Sequence, residues 1–197
     1  INQAENDGCT SLFAASQNGR VKVARVLLDS GADINQATND GATPLFIASQ
    51  KGHVEVVKIL VERGADINQA ANDGATPLCI ASQKGHVDMV RVLVERGADI
   101  NKADSNGTPP LLMATQRGHG EVVRVLAERG ADIYKAANNG ATPLIIASQE
   151  GHVDVVRVLT DRGAEINKGE DKGWTPLLIA SQKGHVEVVR ILIGRGA

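Results

Sequence analysis

The sequence predicts an all-α solenoid of helix–turn–helix units, each closed by a projecting turn. Three observations carry this. Gly52-His53 recurs as Gly85-His86, Gly118-His119, Gly151-His152 and Gly184-His185, in steps of 33 residues. Ile1, Ile34, Ile67, Ile100, Ile133 and Ile166 fall on the same register. Within each step, two short segments of helical apolar spacing are bracketed by helix start and stop residues. A fixed period of this length is the signature of stacked repeats.

The second unit shows the grammar. Asn39-Asp40-Gly41 is a turn signal, because Asn and Asp tolerate left-handed geometry and Gly has no Cβ to clash. Thr43 before Pro44 reads as an N-cap followed by Pro at the first helical position, where the missing N–H costs nothing. A short helix is expected over 44–51, stopped by Gly52. A second is expected over 54–63, stopped by Gly64. Val54, Val57, Leu60 and Val61 have the three-to-four spacing of a buried stripe. Glu55, Lys58, Glu62 and Arg63 take the outer face, acid early and base late, as the helix dipole favours. Units two and three differ at six positions only: Thr38/Ala71, Phe46/Cys79, Glu55/Asp88, Val56/Met89, Lys58/Arg91 and Ile59/Val92.

One such helix pair cannot bury its apolar stripe alone, whereas stacked copies bury it against each other. The expected organisation is a single elongated array over 1–197, in units 1–33, 34–66, 67–99, 100–132, 133–165 and 166–197.

Thr43-Pro44-Leu45, Ala48, Gly52-His53, Val56-Val57, Leu60 and Gly64-Ala65-Asp66-Ile67-Asn68 resemble the ankyrin repeat, and the likeness recurs in all six units. The resemblance implies an L-shaped unit of two antiparallel helices with a β-turn finger at its base. It also implies a concave face, lined by fingers and first helices, that binds proteins. There are three departures. Phe13, Phe46, Cys79, Leu112, Ile145 and Leu178 replace the His after Thr-Pro-Leu, so an apolar contact between neighbours is expected in its place. Ser16, Ser49, Ser82, Thr115, Ser148 and Ser181 replace an Ala, and their hydroxyls are candidates for some of the lost polar contacts. The Asp that opens the finger survives only as Asp104.

Composition excludes several classes. Lys and Arg number 21 against 23 Asp and Glu, a net charge of -2 spread along the chain, so there is no basic footprint for nucleic acid. No apolar run approaches the roughly 18 residues of a membrane span. Cys9 and Cys79 are 70 residues apart in sequence. At about 8–10 Å per packed helix layer they lie too far apart for a disulfide, which needs Cα atoms within about 7 Å. Two free thiols and no signal peptide favour an intracellular, cytoplasmic setting. The chain opens on Ile1 rather than Met, which reads as a trimmed start.

No motif of catalysis, cofactor or metal binding emerges. The five His recur once per unit, too widely spaced for one zinc; each is expected at the junction of two helices, bonded to local backbone. Asp66, Asp99 and Asp132 are expected to bond local N–H groups. The Asn-Asp-Gly turns lack the alternating oxygen ligands of a calcium loop. Cys79 reads as a buried packing residue.

The resemblance implies partner contacts from the fingers and first-helix ends: Asn39, Asp40, Gln50 and Lys51 in unit two; Asn72, Asp73, Gln83 and Lys84 in unit three; Asn138 and Gln149 in unit five. These positions vary little between units. The exception is Trp174, standing where Ala42, Ala75 and Ala141 stand elsewhere, beside Asp171 and Lys172. Trp is a frequent interface anchor, though it could equally pack over its own finger. Tyr134, in place of Asn35, Asn68 and Asn101, is a further surface candidate. The expected function is a protein-interaction module with no cofactor; the alternative is a structural spacer or a consensus-like stability scaffold with no single partner.

Unit four is the expected soft spot, since Pro109-Pro110 removes the capping hydroxyl and Gly120 replaces a Val. The ends read as uncapped, with Val186, Val189, Ile191, Leu192 and Ile193 in the last helix. They suggest a segment of a longer array, or ends that pair with another copy; the expected state is a monomer or an end-to-end association through these terminal units.

Overall fold

A computed structural model describes residues 1–138 and 140–197. Among them are twelve helices and no strand. The first helices of the units are α1 (Ser11–Gln17), α3 (Pro44–Lys51), α5 (Pro77–Lys84), α7 (Pro110–Gln116), α9 (Pro143–Glu150) and α11 (Pro176–Lys183). The second helices are α2 (Val21–Asp29), α4 (Val54–Glu62), α6 (Val87–Glu95), α8 (Gly120–Glu128), α10 (Val153–Asp161) and α12 (Val186–Gly194).

The start and stop residues act as their chemistry dictates. Thr43 Oγ1 accepts the Phe46 N–H at 3.1 Å, and Thr76 Oγ1 the Cys79 N–H at 3.2 Å. Gly52 ends α3 in the left-handed region at φ 77°. The second helix of unit two ends one residue earlier than expected: Arg63 caps it, its N–H shared between the Ile59 and Leu60 carbonyls. In α7 the cap position is Pro109, with no side-chain bond.

The buried stripe of the second helix is wider than its spacing suggested. Val56, Val57, Ile59 and Leu60 are buried, while Val54 and Val61 are only partly so. The first unit explains this. Val23 and Val26, the counterparts of Val56 and Ile59, are 50% and 63% exposed where no unit precedes them. Each second helix is therefore covered on one flank by its own unit and on another by the unit before it, and two contacts need a broader apolar arc than one. The core is one continuous cluster along the array, from Leu12 through Leu45, Leu78, Leu111 and Leu144 to Leu192.

Polar bonds repeat at each junction. His53 Nε2 lies 3.0 Å from the Gln17 carbonyl, and His86, His119, His152 and His185 repeat this to Gln50, Gln83, Gln116 and Gln149 at 2.9–3.3 Å. A carbonyl only accepts, so the ring nitrogen donates. The expected bond to local backbone is thus corrected: each ring reaches the preceding unit. Asn35 Oδ1 accepts the Asp66 N–H, Asn68 that of Asp99 and Asn101 that of Asp132. Asp66, Asp99 and Asp132 also accept local N–H groups, as expected. On the outer side Arg63, Arg96, Arg129, Arg162 and Arg195 each pair with the acid 34 residues earlier, Asp29, Glu62, Glu95, Glu128 and Asp161. These pairs are exposed and each contributes at most about 1 kcal/mol.

The substitutions at the family's His and Ala positions have separate outcomes. Phe13, Phe46 and Cys79 join Ala42, Ile47, Ala75, Ile80 and Met113 in a second apolar cluster beneath the fingers, the contact expected in place of the His. The hydroxyls do not replace its polar bonds. Ser49 bonds back to the Leu45 carbonyl of its own helix. Ser16, Ser82, Thr115 and Ser148 are buried without a hydrogen-bond partner, and Ser181 is exposed. Packing between first helices leaves no acceptor from a neighbouring unit beside them.

Candidate functional site

First helices pack against one another more extensively than second helices do. Closer spacing on one side bends a stack toward that side, so first helices and fingers line the inside of the curve. The fingers are joined edge to edge. The N–H of Asn39 donates to Asp7 O, that of Asn72 to Asp40 O and that of Ser105 to Asp73 O, at 2.9–3.0 Å. Gly41 turns the finger at φ 83°, and a Cβ there would fall 2.7 Å from the Asn72 backbone nitrogen. Only Gly allows that turn and that approach together.

Between fingers and first helices of units two to four runs an open groove of about 470 Å³. Its lining brings together five of the expected residues, Asp40, Gln50, Asn72, Asp73 and Gln83. Phe46, Ile80 and Met113 form its apolar floor, each under one-tenth exposed, with Ala42 and Ala75 beside them. Asp104 completes the acidic edge. Lys51 and Lys84 are exposed at the far ends of α3 and α5, outside this lining.

The other expected residues are distributed differently. Asn39, Asn72 and Asn138 donate their side-chain amides to the backbone of the preceding finger, at Asn6, Asn39 and Asn106. Their uniformity has a structural cause. Tyr134 is half exposed, and its hydroxyl donates to Gly163 O at 3.3 Å. It therefore bridges toward the following unit, as the Asn residues at its position do. Trp174 is partly buried in a smaller hollow of about 270 Å³ with Lys172, Gln149, Ile145 and Ile179. Asp171 is exposed and outside that lining.

The groove floor was missed in the sequence. Ile80 and Met113 follow positions already taken as apolar, and a run such as Leu78-Cys79-Ile80-Ala81 has no outward polar face. That absence was the available signal: residues 77–82 are buried on all sides of α5.

Cys9 and Cys79 are free. Burial pushes the Cys79 thiol above its ordinary pKa; bonds from Thr76 pull it down, and the Asp104 and Asp73 carboxylates push it further up. It stays a protonated packing group at neutral pH. Among the described residues no His, Cys, Asp and Glu cluster could hold a metal, and no helix is long and apolar enough to cross a membrane.

A family model described as ankyrin repeats matches residues 1–71, 68–137 and 134–197. A crystal structure of the human ASB11 ankyrin repeat domain is similar throughout: 32% identity over 96% of this chain and 85% of that one, with a TM-score of 0.87. A comparison with curated proteins finds no match.

Proposed function

Because the chain belongs to the ankyrin repeat family, whose arrays are generally protein-interaction modules, we propose that it binds a protein partner along the inner face of its curve. One observation carries this: the groove of units two to four, open to solvent, apolar on its floor and polar on both edges. An interface core is apolar with a polar rim, and this groove has that make-up. Trp174 and Lys172 extend the surface toward the C-terminal end, with Trp174 as an aromatic anchor. Asn39, Asn72 and Asn138 contribute by setting finger spacing rather than by direct contact.

Uniform fingers would also suit a structural spacer. The Asn bonds between fingers supply another cause for that uniformity. End-to-end pairing of two copies would leave the junction bonds unmade. Arg20 stands where later units carry the His, Ser30 where they carry the Arg, and Gly194 where earlier units carry the acid. The inner face is the stronger candidate.

The test is affinity capture with the native chain, a Gln50→Arg/Gln83→Arg variant that fills the groove edge, and a Lys58→Glu variant on the outer helix. Gln50 and Gln83 accept the His bonds through their main chains, so the stack is preserved. A protein retained by the native and Lys58→Glu chains but lost from the double variant supports the reading. Retention indifferent to the groove refutes it.

A further inference from the structure

The charges of this array are sorted by face. On the outer side most acids of the second helices are paired: Asp29, Glu62, Glu95, Glu128 and Asp161 across junctions, and Glu55 and Glu121 within their own helices, whereas Asp88 and Asp154 have no ion pair among the described residues. Along the groove no such pairing occurs. Asp40, Asp73 and Asp104 line it, and none has a cationic partner among the described residues. Their bonds are all to local donors. Asp40 takes the Thr38 hydroxyl, Asp73 the Ala75 N–H, and Asp104 the N–H groups of Asn106 and Thr108. Each of these bonds uses one carboxylate oxygen and leaves the charge uncompensated.

The opposite margin is basic. Lys51, Lys84 and Arg117 follow at the C-terminal ends of α3, α5 and α7, exposed and without an ion pair among the described residues. An eight-residue helix is about 12 Å long, so the two rows run parallel with Phe46, Ile80 and Met113 between them. At the C-terminal end Lys172 holds the register position of Asp40 and Asp73, beside Glu170 and Asp171.

The geometry points to a partner of defined chemistry: an extended peptide segment with Lys or Arg at every third residue, its basic edge on Asp40, Asp73 and Asp104 and its apolar residues on the groove floor. This rests on the inner face being the binding surface. The spacing argument is direct for Asp40 and Asp73, which share a register position; Asp104 stands two residues before that position in its own unit and lines the same groove. Stacked helices repeat at about 8–10 Å. A polyproline-type strand advances about 3.1 Å per residue with three residues per turn, which places every third side chain on one side at about 9 Å. A flat β-strand turns every third side chain to alternating faces, so it cannot lay one basic row against the fingers. The basic run lies over units two to four, where Asp40, Asp73 and Asp104 line the groove.

The test uses labelled twelve-residue peptides and fluorescence anisotropy. One carries Lys at every third position with Pro and Leu between. A second has Glu for each Lys, and a third keeps the composition of the first but gathers its Lys residues into one run at alternate positions. The protein is the full chain and its Asp40→Asn/Asp73→Asn/Asp104→Asn variant. Asn retains the oxygen each turn needs, and Asn106 already occupies the register of Asp73, so the fold is preserved; circular dichroism checks it. The expected result is that the first peptide binds at least about tenfold more tightly than the other two. That advantage is lost in the triple variant and falls steeply with salt. Equal binding of the Glu peptide, equal binding of the respaced peptide, or indifference to the triple variant overturns the proposal. If peptides of every charge bind and Gln50→Arg/Gln83→Arg removes them all, the groove still binds protein and only its charge preference is wrong. If none binds, the charge proposal fails, and the capture experiment still decides whether the inner face takes a protein.

Discussion

Native-state hydrogen exchange should find residues 107–125 of unit four less protected than residues 74–92 of unit three. Both segments are internal, so fraying at the ends does not enter. Three differences set the size. Thr76 accepts the Cys79 N–H, whereas Pro109 makes no side-chain bond to the N–H of buried Leu112; losing such a cap costs about 1 kcal/mol. Gly120 opens α8 where α6 opens with Val87, costing about 0.4 kcal/mol in helix propensity. Gly120 also forgoes the packing of a Val side chain beside an open hollow of about 460 Å³ that Val87, His119 and Asp154 help to line. Since Val87 is itself only partly buried, that loss is about 0.8 kcal/mol, near half of a fully buried Val. Together these come to about 2 kcal/mol, or roughly 30-fold in the local opening constant. The assay is peptide-resolved exchange followed by mass spectrometry. Pro109→Thr provides the control, because the cap backbone at φ -77° and ψ 164° is the one Thr76 adopts at φ -86° and ψ 166°. It should recover part of the difference. Equal protection of the two native segments would refute the reasoning.

Other expectations follow from the same contacts. Ser82→Ala removes a buried hydroxyl with no partner and should stabilise the chain by about 1 kcal/mol, read from urea unfolding; a loss of stability would mean the hydroxyl is bonded in solution. His119→Ala deletes the bond to Gln83 and the ring that abuts Gly85, and should cost about 1–2 kcal/mol; no change would show the junction bond to be idle. Thiol labelling should modify partly exposed Cys9 in the native state and buried Cys79 only on unfolding; equal rates would contradict the burial. Because the folded state raises the Cys79 pKa, the unfolded chain gives up that proton first as pH climbs. Stability should therefore fall from the ordinary thiol range upward, and Cys79→Ala should flatten that fall. Trp174→Ala should weaken partner binding by more than about 1 kcal/mol, measured by calorimetry against a captured partner; a change below about 0.5 kcal/mol would remove Trp174 from the interface.

What was legible in the sequence depended on distance along the chain. The Thr43 cap and the Gly52 stop act within a few residues, so their chemistry could be read locally, and the helices start and end where they imply. The ring of His53 was placed at its helix junction correctly, but its acceptor is 36 residues away and is set by stacking. Val56 and Ile59 were left outside the stripe because spacing reports one buried face, and these residues are covered by another unit. The site followed the same division. Asp40, Asp73, Gln50 and Gln83 were found as register positions, whereas Ile80 and Met113 became a groove floor only once neighbouring fingers framed them.

The arrangement of junctions has a mechanical consequence. Each unit after the first is bolted to its predecessor by a His bond and an outer ion pair, with Asn side-chain and finger bonds beside them, and all of these join neighbouring units. A tensile load applied at the two ends is therefore carried through the junctions in series. Yielding should begin at unit four, where the helix start is least braced, and each released unit pays out about 100 Å of chain. The array is built to lengthen in discrete steps, as a ratcheted tether does, rather than to snap as one body.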